Sequence, residues 1–124
     1  MPASIVLVQT DHDFLKQTED ALARAGYDVA SFCDSLVALT ALEDSKTAQL
    51  LITGVDLGSG RPHGISLFQV ARLKRPHLHV LFTTGPEHAE FAGEVGELLP
   101  YPTSTEDVVE AVHRLLGSEL SPTA

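Results

Sequence analysis

Apolar residues along the chain fall into short unbroken runs separated by stretches with helical spacing. Ile5-Val6-Leu7-Val8 is a β-prone run without a polar break, which suits a strand covered on both faces. It ends at Gln9-Thr10-Asp11, where Asp11 can cap a helix carrying Leu15, Thr18, Leu22 and Ala25 on one side, and Gly26 supplies the left-handed residue that often ends a helix. The alternation then repeats. Tyr27 to Phe32 reads as a second strand, and Ser35 to Glu43 as a helix with Leu36, Leu39 and Leu42 inward. Leu50 to Thr53 is a third buried strand, and a Gly-rich stretch from Gly54 to Gly64 leads into a helix with Leu67, Phe68, Ala71 and Leu73 inward, stopped by Pro76. Leu78 to Thr83 gives a fourth strand, Pro86 to Phe91 a short helix, and Glu97-Leu98-Leu99 a brief fifth strand after the glycines at 93 and 96. Thr103 or Ser104 caps the last helix, whose stripe is Val108, Val112, Leu115 and Leu116 and whose end is set at Gly117.

Five strands alternating with five helices predict an α/β three-layer sandwich: a parallel sheet with helices on both faces, in the flavodoxin-like strand order 2-1-3-4-5. One domain over residues 1–117 followed by a frayed tail at 118–124 accounts for the chain.

Charge narrows the partners. With 8 Lys and Arg against 17 Asp and Glu, the formal net charge of −9 argues against nucleic acid and anionic membrane as ligands. The apolar stretch at the N-terminus is too short for a signal-peptide core or a membrane span, so a cytoplasmic location is expected. The single Cys33 can form no intrachain disulfide and reads as a half-buried thiol at the end of the second strand. The six histidines are scattered without the i, i+4 spacing of a helical metal site.

In an open parallel sheet, ligands sit beyond the carboxyl ends of the strands. The residues there are Gln9, Thr10 and Asp11, then Gly54, Val55 and Asp56, then Thr83 and Thr84, then Tyr101 and Pro102. From Ile5 to Leu116 the chain resembles the receiver domains of response regulators in two-component signalling. The resemblance is carried by Ala25-Gly26-Tyr27, by Leu50-Leu51-Ile52-Thr53 before a Gly-rich loop ending at Gly64-Ile65, by Leu81-Phe82-Thr83-Thr84-Gly85, and by Pro102 ahead of a capped helix.

That family uses an acidic pair after the first strand, an acceptor aspartate at the end of the third, a Thr or Ser after the fourth and a Lys before a proline after the fifth. By position these become Gln9 and Thr10, Gly54, Thr83 and Tyr101, so the hydroxyl alone is retained. A glycine offers no nucleophilic carboxylate, so no acyl phosphate can form there. An amide and a hydroxyl in place of two carboxylates take two negative charges from a magnesium cage, so Mg²⁺ binding is expected to be weak or absent, with no other cofactor or metal implied. A tyrosine is uncharged near neutrality and does not replace the lysine.

The resemblance therefore implies a degenerate, non-enzymatic pseudo-receiver, acting as a phosphorylation-independent interaction module. Its partners would be a histidine kinase, a phosphotransfer protein, another response regulator or a second copy of itself. The implied signalling face comprises Val95, Leu98, Tyr101 and Pro102, with Leu98 standing where the family's switching aromatic belongs. Two alternatives stay open. Asp56, two residues past Gly54, could act as a displaced acceptor, though such a shift carries it about 6 to 7 Å along the chain. Alternatively, the space left by Gly54 under the 54–64 loop could take a small molecule or nucleotide.

Overall fold

The computed structural model describes residues 4–44, 48–55, 64–100 and 103–120. The elements alternate strictly: β1 (Ser4–Val8), α1 (His12–Arg24), β2 (Asp28–Phe32), α2 (Ser35–Asp44), β3 (Ala48–Thr53), α3 (Gly64–Lys74), β4 (His79–Thr84), α4 (Pro86–Val95), β5 (Glu97–Pro100) and α5 (Thr105–Leu120). All four strand pairings are parallel, in the order β2-β1-β3-β4-β5. The expected architecture is the one observed.

Successive side chains of a strand point to opposite faces, so each apolar run feeds two cores at once. Ile5, Leu7, Leu50, Ile52 and Leu81 face α1 and α5 together with Leu22, Val108, Val112 and Leu116. Val6, Val8, Leu51, Val80 and Phe82 face the opposite side with Ala38, Leu42, Leu67, Phe68 and Ala92. Phe68 and Phe82 meet edge to face, with ring centroids 6.2 Å apart.

Local chemistry explains where the elements begin and end. The Asp11 carboxylate accepts from the N–H groups of Asp13 and Phe14 and so caps α1. Gly26, at φ +100°, takes the left-handed conformation after its last turn. At α5, Ser104 Oγ accepts from the Asp107 N–H at 3.1 Å, deciding between the two expected caps. Gly96 sits where a Cβ would come 2.2 Å from Val80 Cγ1, so the turn into β5 needs a residue without a side chain.

Several details differ from the sequence expectation. Ala25 is the exposed C-cap of α1 rather than a buried helical position. Tyr27 precedes β2; it is buried, and its hydroxyl shares a 2.6 Å hydrogen bond with His113 Nδ1 on α5. Leu36 and Leu73, expected inward, are 48% and 82% exposed. Both lie at the right spacing for a buried stripe, but the stripes that face the sheet are Ala38 with Leu42 on α2 and Leu67, Phe68 and Ala71 on α3. β3 starts two residues earlier than expected, α4 runs four residues longer and carries Gly93 inside it, and α5 continues past Gly117 to Leu120. Cys33 is exposed, because the chain turns away from the sheet after Phe32. Among the described residues no helix is long and apolar enough to cross a membrane.

Candidate functional site

The strand register brings the critical positions together at the carboxyl edge of the sheet. Val8 pairs with Thr53, and Thr53 with Phe82, so the residues one step further, Gln9, Gly54 and Thr83, sit side by side at the carboxyl ends of three neighbouring strands. The ladder continues past the strand ends: the Gly54 N–H donates to Val8 O and the Gln9 N–H to Phe32 O, both at 3.2 Å. Backbone pairing thus fixes the approach of position 9 to position 54 before any side chain acts.

Gln9 is buried, which is uncommon for its type and demands partners for its amide. Both ends find one. Nε2 donates to Thr83 Oγ1 at 3.3 Å, and Oε1 accepts from the Thr10 N–H at 3.0 Å. A Cβ built on Gly54 would meet Gln9 Nε2 at 3.1 Å and Oε1 at 3.3 Å. The carboxamide therefore lies over the glycine and spans from β1 to the hydroxyl at the end of β4. Thr83 is 2% exposed, so this bond is shielded from water.

A side chain at position 54 would abut this amide, and the 56–63 segment expected to roof the space beside the glycine lies outside the described residues. The sequence carried the signal in two separate places, a long amide after β1 and a residue without a side chain after β3. Only the register shows that the two are neighbours.

Residues 53–55 and 64 are equally constrained. Thr53 Oγ1 donates to Gly54 O at 2.8 Å, and the Gly64 N–H donates to Val55 O at 2.8 Å, so the start of α3 is held against the end of β3. A Cβ on Gly64 would lie 1.9 Å from Gly54 O, so position 64 admits only glycine without backbone movement.

Among the described residues, the positions where the receiver resemblance expects carboxylates hold a neutral carboxamide already bonded at both ends, an exposed threonine and a glycine, a poor donor set for a magnesium ion. Among the described residues no group of three His, Cys, Asp or Glu side chains could hold a metal. Asp56, Tyr101 and Pro102 lie outside the described residues, as do Arg61 and the rest of the 56–63 segment. Of the expected signalling face, Val95 ends α4 and Leu98 pairs with Phe82 in β5; both are half-buried against the α2–α3–α4 core. Arg114 on α5 meets Glu97 at the start of β5 at 2.9 Å.

The sheet order and the parallel crossovers are those of the receiver fold. A receiver-domain protein described as CheY-like from Methanospirillum hungatei superposes with a TM-score of 0.83 at 22% identity, over 96% of this chain and 97% of its own. A response-regulator receiver domain from Clostridium thermocellum gives 0.81 at 20%, covering 94% and 96%. An adenylate cyclase from Rhodopirellula baltica gives 0.81 at 22%, covering 94% and 89%. No family model matches the sequence, and no curated protein does.

Proposed function

We propose that the chain is a pseudo-receiver of two-component signalling that engages its partner without being phosphorylated and without catalytic turnover. The observation that carries this reading is the Gln9 carboxamide, seated over Gly54 and bonded to Thr83. In the receiver family that the chain resembles, this is where a phosphoryl group would be accepted and sensed. Among the described residues the position offers no carboxylate nucleophile and no acidic pair, and the Gln9 amide stands in contact distance of a side chain at 54. The hydroxyl that would respond to a phosphoryl group already has a permanent donor from within the chain. Such a domain holds one conformation and recognises a histidine kinase, a phosphotransfer protein or another regulator in the cytoplasm through its surface.

The test is direct. Acetyl phosphate, or beryllofluoride with Mg²⁺, should leave the amide resonances of Gly54 and Thr83 unmoved. Shifts at those positions would overturn the proposal. Incubation with a labelled kinase should likewise leave the chain without label; label that disappears in an Asp56→Asn variant would establish a displaced acceptor instead.

A further inference from the structure

We infer that the outer face of α2 and α3 is the docking surface, and that its occupant is an acidic amphipathic helix of a partner protein. This rests on the interaction-module reading above and names the surface that reading requires.

The large apolar side chains exposed on the described surface are Leu36 at 48%, Val37 at 54%, Val70 at 41% and Leu73 at 82%. All four belong to these two helices. Scattered exposed apolar residues need no explanation, but a concentration on one pair of helices does. They are also close together. Both helices run antiparallel to the same parallel strands, so they lie parallel to each other. Lys74 Nζ meets Glu43 Oε2 at 3.7 Å and Arg75 Nε donates to Leu42 O at 3.1 Å, which sets their register. Seven residues back from that pairing Leu36 lies level with Leu67. At 1.5 Å per residue Val70 then sits about 4.5 Å and Leu73 about 9 Å further along the axis.

Charge selects the occupant. In a chain with 17 Asp and Glu, α3 is the one helix of the five with no acidic residue, and it carries Arg72 and Lys74 on either side of Leu73. Arg72 lies over the Phe68 ring at 5.4 Å, and Lys74 is about two-thirds exposed despite its glutamate neighbour. The α3 side of the apolar strip is edged by cations, with Glu43 of α2 opposite Lys74, and on a molecule of net charge −9 that side complements a helix whose apolar stripe is edged by Glu or Asp. A second copy of the chain brings nine further negative charges and is the poorer fit. The β5–α5 edge offers less: Val95 and Leu98 are half-buried, and Arg114 is engaged by Glu97.

Two stapled amphipathic helices of about five turns test this, one with its leucine stripe edged by Glu and the other edged by Lys. Titrated into the isotope-labelled full chain, the acidic helix should shift amides of α2 and α3, and the basic helix should not bind. Leu73→Gln should weaken the acidic helix by about tenfold, as should Arg72→Glu, whereas Glu110→Gln on α5 should leave its affinity unchanged. Equal binding of both helices, absence of binding, or shifts confined to β5 and α5 would overturn the inference. So would a dimer in sedimentation equilibrium that Leu73→Gln dissolves, since the face would then serve a second copy. None of these outcomes touches the phosphorylation reading, which fails only on a response to acetyl phosphate or beryllofluoride at Gly54 and Thr83, or on kinase label in the chain.

Discussion

On one face of the sheet α1 and α5 cover their core completely, while on the other α2 and α3 cover theirs and leave apolar side chains in solvent. Leu22, Val108, Val112 and Leu116 are fully buried between α1, α5 and the strands, and no large apolar residue of either helix is exposed among the described residues. Both helices are strongly amphipathic in sequence and capped by Asp11 and Ser104, and Tyr27, in the turn after α1, bonds His113 on α5. The opposite face is apolar nearly all round on α2, so burying Ala38 and Leu42 necessarily leaves Leu36 and Val37 outside. A helix that satisfies only the fold is polar outside; a helix apolar on both sides carries a second requirement. The difference separates a face that stabilises from a face that is available to something else.

The contrast can be broken by truncation on each side. Leu22→Ala should cost about 3 kcal/mol in urea unfolding, because a fully buried leucine leaves a cavity when removed. Leu73→Ala, at the most exposed apolar position, should change stability by no more than about 0.5 kcal/mol. A large loss at Leu73 would mean that it belongs to the core.

The seam between the faces is sharpened by Gln9→Leu, which keeps the bulk over Gly54 but leaves the buried Thr83 hydroxyl without its donor. The expected cost is about 2 kcal/mol, with faster hydrogen exchange at the ends of β1 and β4. An unchanged stability would show that the amide bond contributes nothing to holding the site.

Tyr27 tests the α1–α5 side more gently. Tyr27→Phe should cost about 1 kcal/mol at neutral pH by removing the bond to His113. Desolvation by burial raises the Tyr27 phenol above its ordinary value of 10.0. Because the unfolded chain releases this proton at lower pH than the folded one, the contribution of the neutral phenol is fully present below about pH 10 and is lost as pH climbs through the raised folded value. The alkaline fall in stability should therefore be shallower in Tyr27→Phe than in the unmodified protein. A small gain is expected on α4, where a Cβ on Gly93 would meet nothing within 4 Å. Gly93→Ala should raise stability by about 0.5 to 1 kcal/mol, as an exposed helical glycine gives way to a better helix former.

Much of this was legible before any coordinates. Continuous apolar runs such as Ile5 to Val8 mean a strand buried on both sides, and the alternation with capped helices leaves a doubly wound sheet as the economical arrangement. The positions after β1, β3 and β4 could be named from that pattern alone, whereas the expectation of a carboxylate at position 54 came only from the resemblance to receiver domains. Less accessible were the orientations of α2 and α3, because a helix with apolar residues on several sides has more than one stripe of the right spacing. Leu36 and Leu73 satisfied the period but not the packing.

The residue types and their periodicity determined which segments became strands and helices, since those depend on local sterics and on two-sided burial. The chemistry excluded at position 54 was determined in the same way, because an absent side chain is absent in any fold. Tertiary structure alone decided that Gln9 lies against Gly54 and Thr83, for these meet only through parallel pairing of strands far apart along the chain. It also decided which side of α3 the sheet covers, and so which apolar residues were left facing water.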